Sequence, residues 1–438
     1  MDKLMETIKD VMISARTLVV YRRILQDPAV KKFIEMLDMS SNLNNEVVEK
    51  YHEFYSMLVE KTELEEKAGC GNLWQNHLLN LIISDENGFS LKCEASGVEG
   101  IDNALELLVK KDLTSLKKLY DFDFRTFSFI LPELYDVSKK QGTAYPESYF
   151  SEVRYLKKIL NHSADWTQNF NDIAAFYQKV GCGIMGRYWA FKWAKVGEHE
   201  DLVGITEPDP IRIKDLIGYE EQKREVMRNT EQFVSGFTAN NMLLYGDRGT
   251  GKSSTIKALL HEYGERGLRM VEVPKYQIVH LPEIISRLRR RPQRFIIFID
   301  DLSFEEYETE YKYLKAILEG SLEAAPKNVL IYATSNRRHL IRELAADRGE
   351  NEWRDEDTIQ EKMSLSDRFG ITVVYMAPDQ ERYLDIVMGI AKNEGIEIEP
   401  EELRRLAVKW ELWQNQKSGR TARQFIEDLK GKLGMKNK

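Results

Sequence analysis

The stretch NMLLYGDRGTGKSST, from Asn241 to Thr255, decides how the rest of the chain is read. It contains the spacing G-x-x-x-x-G-K-[ST] as Gly246, Asp247, Arg248, Gly249, Thr250, Gly251, Lys252 and Ser253. A short apolar run, Met242 to Tyr245, leads in, and a helix-prone run from Ser254 to Tyr263 leads out. That strand–loop–helix context gives the spacing its meaning. Glycines without a Cβ let the loop fold tightly and turn its N–H groups toward a phosphate. The helix starting near Gly251 adds the positive end of its dipole. Lys252 is placed to reach the β- and γ-phosphates, and the Ser253 hydroxyl to sit on Mg²⁺. Ser254 follows at the first helical turn of the same cradle.

The chain around this loop has 438 residues, too many for one compact core, so two or three domains are expected. Its composition, 42% hydrophobic and 31% charged, is that of a soluble globular protein. The first residues, MDKLMETIKDVMISARTLVVYRR, are broken by charges and read as neither a secretory signal nor a membrane span. Three scattered cysteines, Cys70, Cys93 and Cys182, match neither a disulfide framework nor a zinc site, and a cytoplasmic setting is expected. The net charge of −8 lies wholly in residues 1–210, where 33 acidic side chains face 25 basic ones; residues 211–438 balance at 38 each. No strongly basic footprint marks a dedicated nucleic-acid binder.

Residues 1–200 read as a mainly helical domain. Apolar residues recur at three and four spacing in Leu105–Leu119 and Tyr149–Leu160. The Phe-rich segment DFDFRTFSFILPEL (121–134) reads as core packing, with a partner-binding groove as the alternative. Gly181, Gly183 and Gly186 match G-x-G-x-x-G, but no clear strand precedes them. The following Arg187, Tyr188, Trp189, Phe191, Lys192 and Trp193 read as a Gly-flexed turn entering a buried aromatic helix. Stacking on nucleic-acid bases is the sharper alternative. The polar stretch Glu198–Arg212, with Pro208 and Pro210, reads as a linker, placed at 201–212.

Past the phosphate loop, Met270–Val273 reads as a strand and Pro282–Arg291 as a helix ending in an arginine cluster that extends to Arg294. Solvated dipole partners are the ordinary role for such arginines, and phosphate tracking the alternative. Then comes Arg294-Phe-Ile-Ile-Phe-Ile-Asp300-Asp301, five apolar residues of buried-strand type ending in two carboxylates. Ligands of α/β sheets gather at that carboxyl edge. Asp300 is placed to hold Mg²⁺, and Asp301 to polarise an attacking water, with Glu305 and Glu306 as substitutes. A further buried strand, Val329–Ser335, ends at Asn336, which is placed to orient that water or touch the γ-phosphate. A charged helical stretch over 337–363, with His339 as a surface residue, leads to LSDRFG (365–370) and a strand at Ile371–Met376.

These elements in this order resemble the AAA+ ATPase superfamily. On that resemblance Gly246–Ser253 is Walker A, Ile296–Asp301 Walker B and Asn336 sensor 1. Residues 215–220, with Ile217 and Gly218, look like the segment that packs near the adenine. Arg368 looks like the arginine finger that reaches a neighbour's γ-phosphate, and Arg423, with Arg420 as runner-up, like sensor 2. The second Walker B acid is Asp where most of the superfamily has Glu. More closely, LYGDRGTGKSS, FIDDLSFE and SGRTARQF resemble a bacterial DUF815-like group of AAA+ ATP-binding proteins, a domain of unknown function.

The resemblance implies an α/β fold with a P-loop NTPase three-layer αβα core and a parallel sheet over 213–377. A small helical lid over 378–432 and a tail at 433–438 would follow. It implies ATP and Mg²⁺ as ligands and a head-to-tail oligomer, ring or open helix. ATP hydrolysis at subunit interfaces would remodel or load a macromolecular client, with a protein client bound through the N-terminal domain and no membrane involved. The alternatives are a DNA-associated, helicase-loader-like ATPase and a slow nucleotide-gated switch.

Overall fold

The computed structural model describes residues 2–39, 45–64, 70–124, 147–304, 308, 310–319, 326–336, 340 and 365–436. The chain forms two compact units, Met1–Tyr188 and Trp189–Lys438.

The first unit is helical: α1 (Asp2–Arg16), α2 (Pro28–Met39), α3 (Asn45–Leu64), α4 (Leu73–Ser84), α5 (Gly88–Ser96), α6 (Asn103–Tyr120), α7 (Glu147–His162), α8 (Phe170–Val180) and α9 (Gly183–Arg187). Local chemistry fixes where helices begin. The Asn72 side chain accepts from the Gln75 amide while Gln75 returns the bond to the Asn72 amide, a capping box that starts α4. Asn87 and Ser90 make the same reciprocal box at the start of α5, and Asp102 caps α6 from one side by accepting the Leu105 amide. Burial then assembles the unit. Phe33, Phe54, Trp74, Phe122 and Phe124 form one aromatic knot, with Phe33 and Trp74 centroids 4.4 Å apart and Phe54 and Phe124 at 5.7 Å. The Phe-rich segment therefore begins as core; its remainder, 125–134, lies outside the described residues. So do His339, the substitute acids Glu305 and Glu306 and, apart from Leu340, the helical stretch read over 337–363.

Asp112 on α6 is fully buried and accepts the amides of Val19, Val20 and Tyr21. One carboxylate thus satisfies three amides of the chain leaving α1, among them that of the buried Tyr21, which would otherwise stand unpaired.

The second unit carries a seven-stranded sheet: β1 (Ala190–Val196), β2 (His199–Ile205), β3 (Met242–Gly246), β4 (Leu268–Glu272), β5 (Arg294–Ile299), β6 (Val329–Ser335) and β7 (Ile371–Tyr375). Their order is β2-β1-β4-β5-β6-β3-β7, parallel except for the antiparallel β1–β2 pair. Helix α10 (Glu220–Val234) precedes β3, α11 (Lys252–Tyr263) follows it, α12 (Leu281–Leu288) follows β4 and α13 (Glu310–Glu319) follows β5. Met242 and Leu244 share one apolar cluster with Val226 and Phe233 of α10 and Ile256 and Leu259 of α11. The alternate residues Leu243, Ile297 and Ile331 are buried as well. Burial on both faces explains the uninterrupted apolar runs.

The aromatic segment expected as a helix is strand β1, and residues 201–205 of the expected linker belong to β2. Gly197, at φ +65°, and Glu198 make the two-residue turn between them. Alternation survives along β1: Phe191 and Trp193 are buried while Lys192 is exposed. Arg287 of α12 lies over the Trp193 ring, 5.3 Å from its centroid, and pairs with Asp201 and Glu283. Arg294 stacks on Phe233 and donates to the Lys327 carbonyl. These two arginines of the cluster thus bind their own fold.

Three helices, where the resemblance places the lid, complete the unit: α14 (Gln380–Asn393), α15 (Pro400–Gln414) and α16 (Gly419–Lys436). Asp379 and Glu399 cap the first two. Among the described residues no helix is long and apolar enough to cross a membrane.

Candidate functional site

Between β3 and α11 the chain must turn within five residues while leaving its amides free. Gly246, at φ +138°, lies so close to β7 that an added Cβ would stand 2.0 Å from the Tyr375 carbonyl oxygen. Gly251, at φ +94°, enters α11 in a left-handed conformation with open space where a Cβ would stand. The Asp247 amide donates to the Tyr375 carbonyl at 2.9 Å, and its carboxylate accepts the Ala377 amide at 2.6 Å. Gly246 and Asp247 thus anchor the loop to β7 and stand outside the cavity wall. Arg248, Gly249, Thr250, Gly251, Lys252, Ser253 and Ser254 line it.

The cavity measures about 620 Å³. Ile217, Gly218, Tyr219, Ile386 and Ile390 form part of its wall, as do Asp300, Asp301, Thr334 and Asn336 from the sheet's carboxyl edge. Arg420 and Arg423 enter from the lid. Ile217 and Tyr219 also pack on the lid's apolar cluster. Tyr219 adopts φ +57° and donates its hydroxyl to the Met376 carbonyl at 2.7 Å, and burial pushes that phenol up to about 12. Arg420 donates its amide to the Gly249 carbonyl at 3.1 Å, so α16 begins against the phosphate loop itself.

The polar side chains form one network. Lys252 donates to the Gly246 carbonyl at 3.0 Å, the Asp247 carbonyl at 2.7 Å and Asn336 Oδ1 at 3.2 Å. Asn336 Nδ2 donates to Asp301 Oδ1 at 2.6 Å. The Ser253 and Thr334 hydroxyls both donate to Asp300 Oδ1, each at 2.5 Å. Burial lowers the Lys252 ammonium below the usual lysine range, opposed by the carboxylates of Asp247, Asp301 and Asp300.

The sequence-based expectations meet here for Lys252, Ser253, Asp300, Asp301, Asn336, Ile217, Gly218 and Arg423. Arg368 is not part of the wall; it is half-exposed and pairs with Glu319 of α13 at 3.0 Å. Sequence reasoning passed over Thr334 and named Tyr219 only within the adenine-side segment 215–220. Thr334 had a readable signal, a polar residue near the end of an apolar strand two positions before Asn336, whereas the left-handed turn at Tyr219 had none.

A family model described as "Protein of unknown function (DUF815)" matches residues 186–433. The chain belongs to the DUF815 family. In this DUF815 chain the match begins just before β1, so the hairpin lies inside the matched region. No curated protein matches it.

Solved structures with a similar fold include the RuvB Holliday junction branch migration motor of Thermotoga maritima. It is 15% identical over 50% of this chain and 72% of that one, with a TM-score of 0.33. Another is AMPPCP-bound DnaA from Aquifex aeolicus, 19% identical over 51% and 66%, with a TM-score of 0.36. A replication initiator DnaA bound to AMPPCP and single-stranded DNA gives the same figures. The α/β assignment of the DUF815 chain stands on its own sheet order and phosphate loop.

Proposed function

We propose that the second unit binds Mg-ATP and hydrolyses it, acting as a subunit of a head-to-tail assembly. The observation that carries this reading is the hydrogen-bonded network of Lys252, Ser253, Asp300, Asp301, Thr334 and Asn336, joined through the Asp301 amide, at the carboxyl edge of the sheet. The cavity suits ATP: apolar Ile217, Ile386 and Ile390 fit a flat base, and the loop amides with Lys252 fit a phosphate chain.

Ser253 and Asp300 supply hard oxygen donors 2.5 Å apart, a set suited to Mg²⁺. Bound there, the ion would neutralise charge on the phosphate oxygens. Lys252 would turn from the loop carbonyls to the β- and γ-phosphates. Asp301 would accept a hydrogen bond from the attacking water, and Asn336 would hold Asp301 and that water in line. Arg423, with Arg420 beside it, would link the phosphates to lid position. Arg368 does not line its own cavity and is half-exposed, which suits a finger serving a neighbouring copy. The work done would be remodelling or loading of a macromolecular client, a protein bound through residues 1–188 in the first instance.

The test is steady-state ATPase rate against protein concentration for wild type, Asp301→Asn and Arg368→Ala, with and without DNA. A rate per subunit that rises with concentration, is lost in Arg368→Ala, and returns when that variant is mixed with Asp301→Asn supports the finger in trans. Stimulation by DNA would move the reading to a DNA-associated loader. Tight ATP binding with hydrolysis no faster than Asp301→Asn would replace it with a nucleotide-gated switch.

A further inference from the structure

Thr334, the penultimate residue of β6, stands in the wall of the cavity and is 2% exposed. Its hydroxyl donates to Asp300 Oδ1 at 2.5 Å and accepts the Asp301 amide at 3.0 Å. Its carbonyl accepts the Leu302 amide at 2.7 Å. One residue thus engages three successive positions where β5 ends. The middle one, Asp301, sits at φ +49°, a left-handed conformation that side chains other than glycine rarely adopt. From there its carboxylate meets Asn336 Nδ2 at 2.6 Å. A hydroxyl has one proton and two lone pairs. Thr334 spends the proton on Asp300 and a lone pair on the Asp301 amide, so its orientation is set from both sides.

We infer that Thr334 is a positioning residue that holds the two acids in register: it aims Asp300 Oδ1 at Ser253 and fixes the left-handed turn that points Asp301 toward Asn336. A short aspartate has little reach, so the backbone must place its carboxylate; the Thr334 hydroxyl grips that backbone together with Asp300 Oδ1, which accepts the same Asp301 amide at 3.1 Å and is itself held by Thr334. This rests on the ATPase reading above.

The experiment compares Thr334→Val, which keeps shape and loses the hydroxyl, with Thr334→Ser, which keeps the hydroxyl. Two quantities are read: kcat and KM for ATP, and binding of a fluorescent ATP analogue with and without Mg²⁺. Thr334→Val is expected to lose about 10- to 100-fold in kcat, as outer-shell partners of metal ligands do. Its KM should move by less than about threefold, because Lys252 and the loop amides still hold the phosphates. The Mg²⁺-dependent gain in analogue binding is expected to shrink in Thr334→Val and persist in Thr334→Ser, which should keep kcat within about threefold of wild type. A merely structural role would lower the melting temperature of Thr334→Val and leave kcat of the folded enzyme and the Mg²⁺ dependence at wild-type values, overturning the inference. An equal loss of kcat in Ser and Val overturns it too. Wild type no faster than Asp301→Asn fails the ATPase reading itself, and the inference with it.

Discussion

Two aspartates, Asp112 in the first unit and Asp300 in the second, are both gripped by backbone amides, and at Asp300 two hydroxyls join them. Asp112 is sealed from solvent and takes backbone amides from Val19, Val20 and Tyr21. Asp300 is exposed at a cavity and takes hydroxyls from Ser253 and Thr334 besides the amide of its neighbour Asp301. Backbone donors are fixed by the fold, so Asp112 can only hold the chain leaving α1 in place. A hydroxyl rotates and can exchange its partner for a ligand. The same carboxylate chemistry therefore serves architecture in one unit and an adaptable site in the other.

Substitutions can break or sharpen that contrast. The largest expected effect is Lys252→Ala, which should lower ATP turnover by at least about 100-fold, the scale of losing one preorganised charge partner. Steady-state ATPase assay reads it, and the thermal melt of the first unit should not move. Asp112→Ala should do the opposite. The buried Tyr21 amide and the less buried amides of Val19 and Val20 lose their acceptor, at a cost of about 2 kcal/mol to the first unit. Chemical denaturation reads that loss, while turnover per folded molecule is expected to stay at the wild-type value.

Arg287→Ala should cost about 1 kcal/mol, because its ion pairs with Asp201 and Glu283 are exposed and its contact with Trp193 adds one cation–π interaction. Denaturation of wild type and variant at low and high salt measures it, and salt is expected to narrow the difference. The smallest effect concerns pH. Lys252 has a lowered pKa in the fold, so above it and up to the ordinary value of 10.5 the unfolded chain binds the extra proton. Stability from this group should rise with pH across that alkaline window. The rise should be absent in Lys252→Met, as read from denaturation curves of both proteins at stepped pH.

The site's chemistry was legible in the sequence to the extent that it lives on contiguous residues. Gly246–Ser254 and Phe295–Asp301 announce a cradle and a strand-end acid pair because strand, loop and helix follow one another locally. Thr334 was harder, since its meaning depends on the pairing of β5 with β6, which brings it to Asp301 across 33 positions. Strands β3 to β7 followed from buried-type apolar runs, whereas the helices after residue 378 were expected only from the family resemblance. The hairpin was misread because three glycines in a fingerprint-like spacing and a dense run of aromatics suggested a helix. Its signal was present: alternation through Ala190–Val196 and a two-residue turn at Gly197-Glu198.

That hairpin decides where this polypeptide can be cut. A fragment beginning at residue 213, after the proline-rich segment, would discard β1 and β2 and uncover the flank of β4 that pairs with Ala190, Phe191 and Lys192. Met270 and Val271 would then border a long apolar strand edge, a template for sticking to other chains. A fragment beginning at Trp189 keeps the sheet's natural hem, in which β2 carries Glu200 and Asp201 as deterrent charges. Preparations of the second unit should stay dispersed when started at the earlier residue and clump when started at the later one.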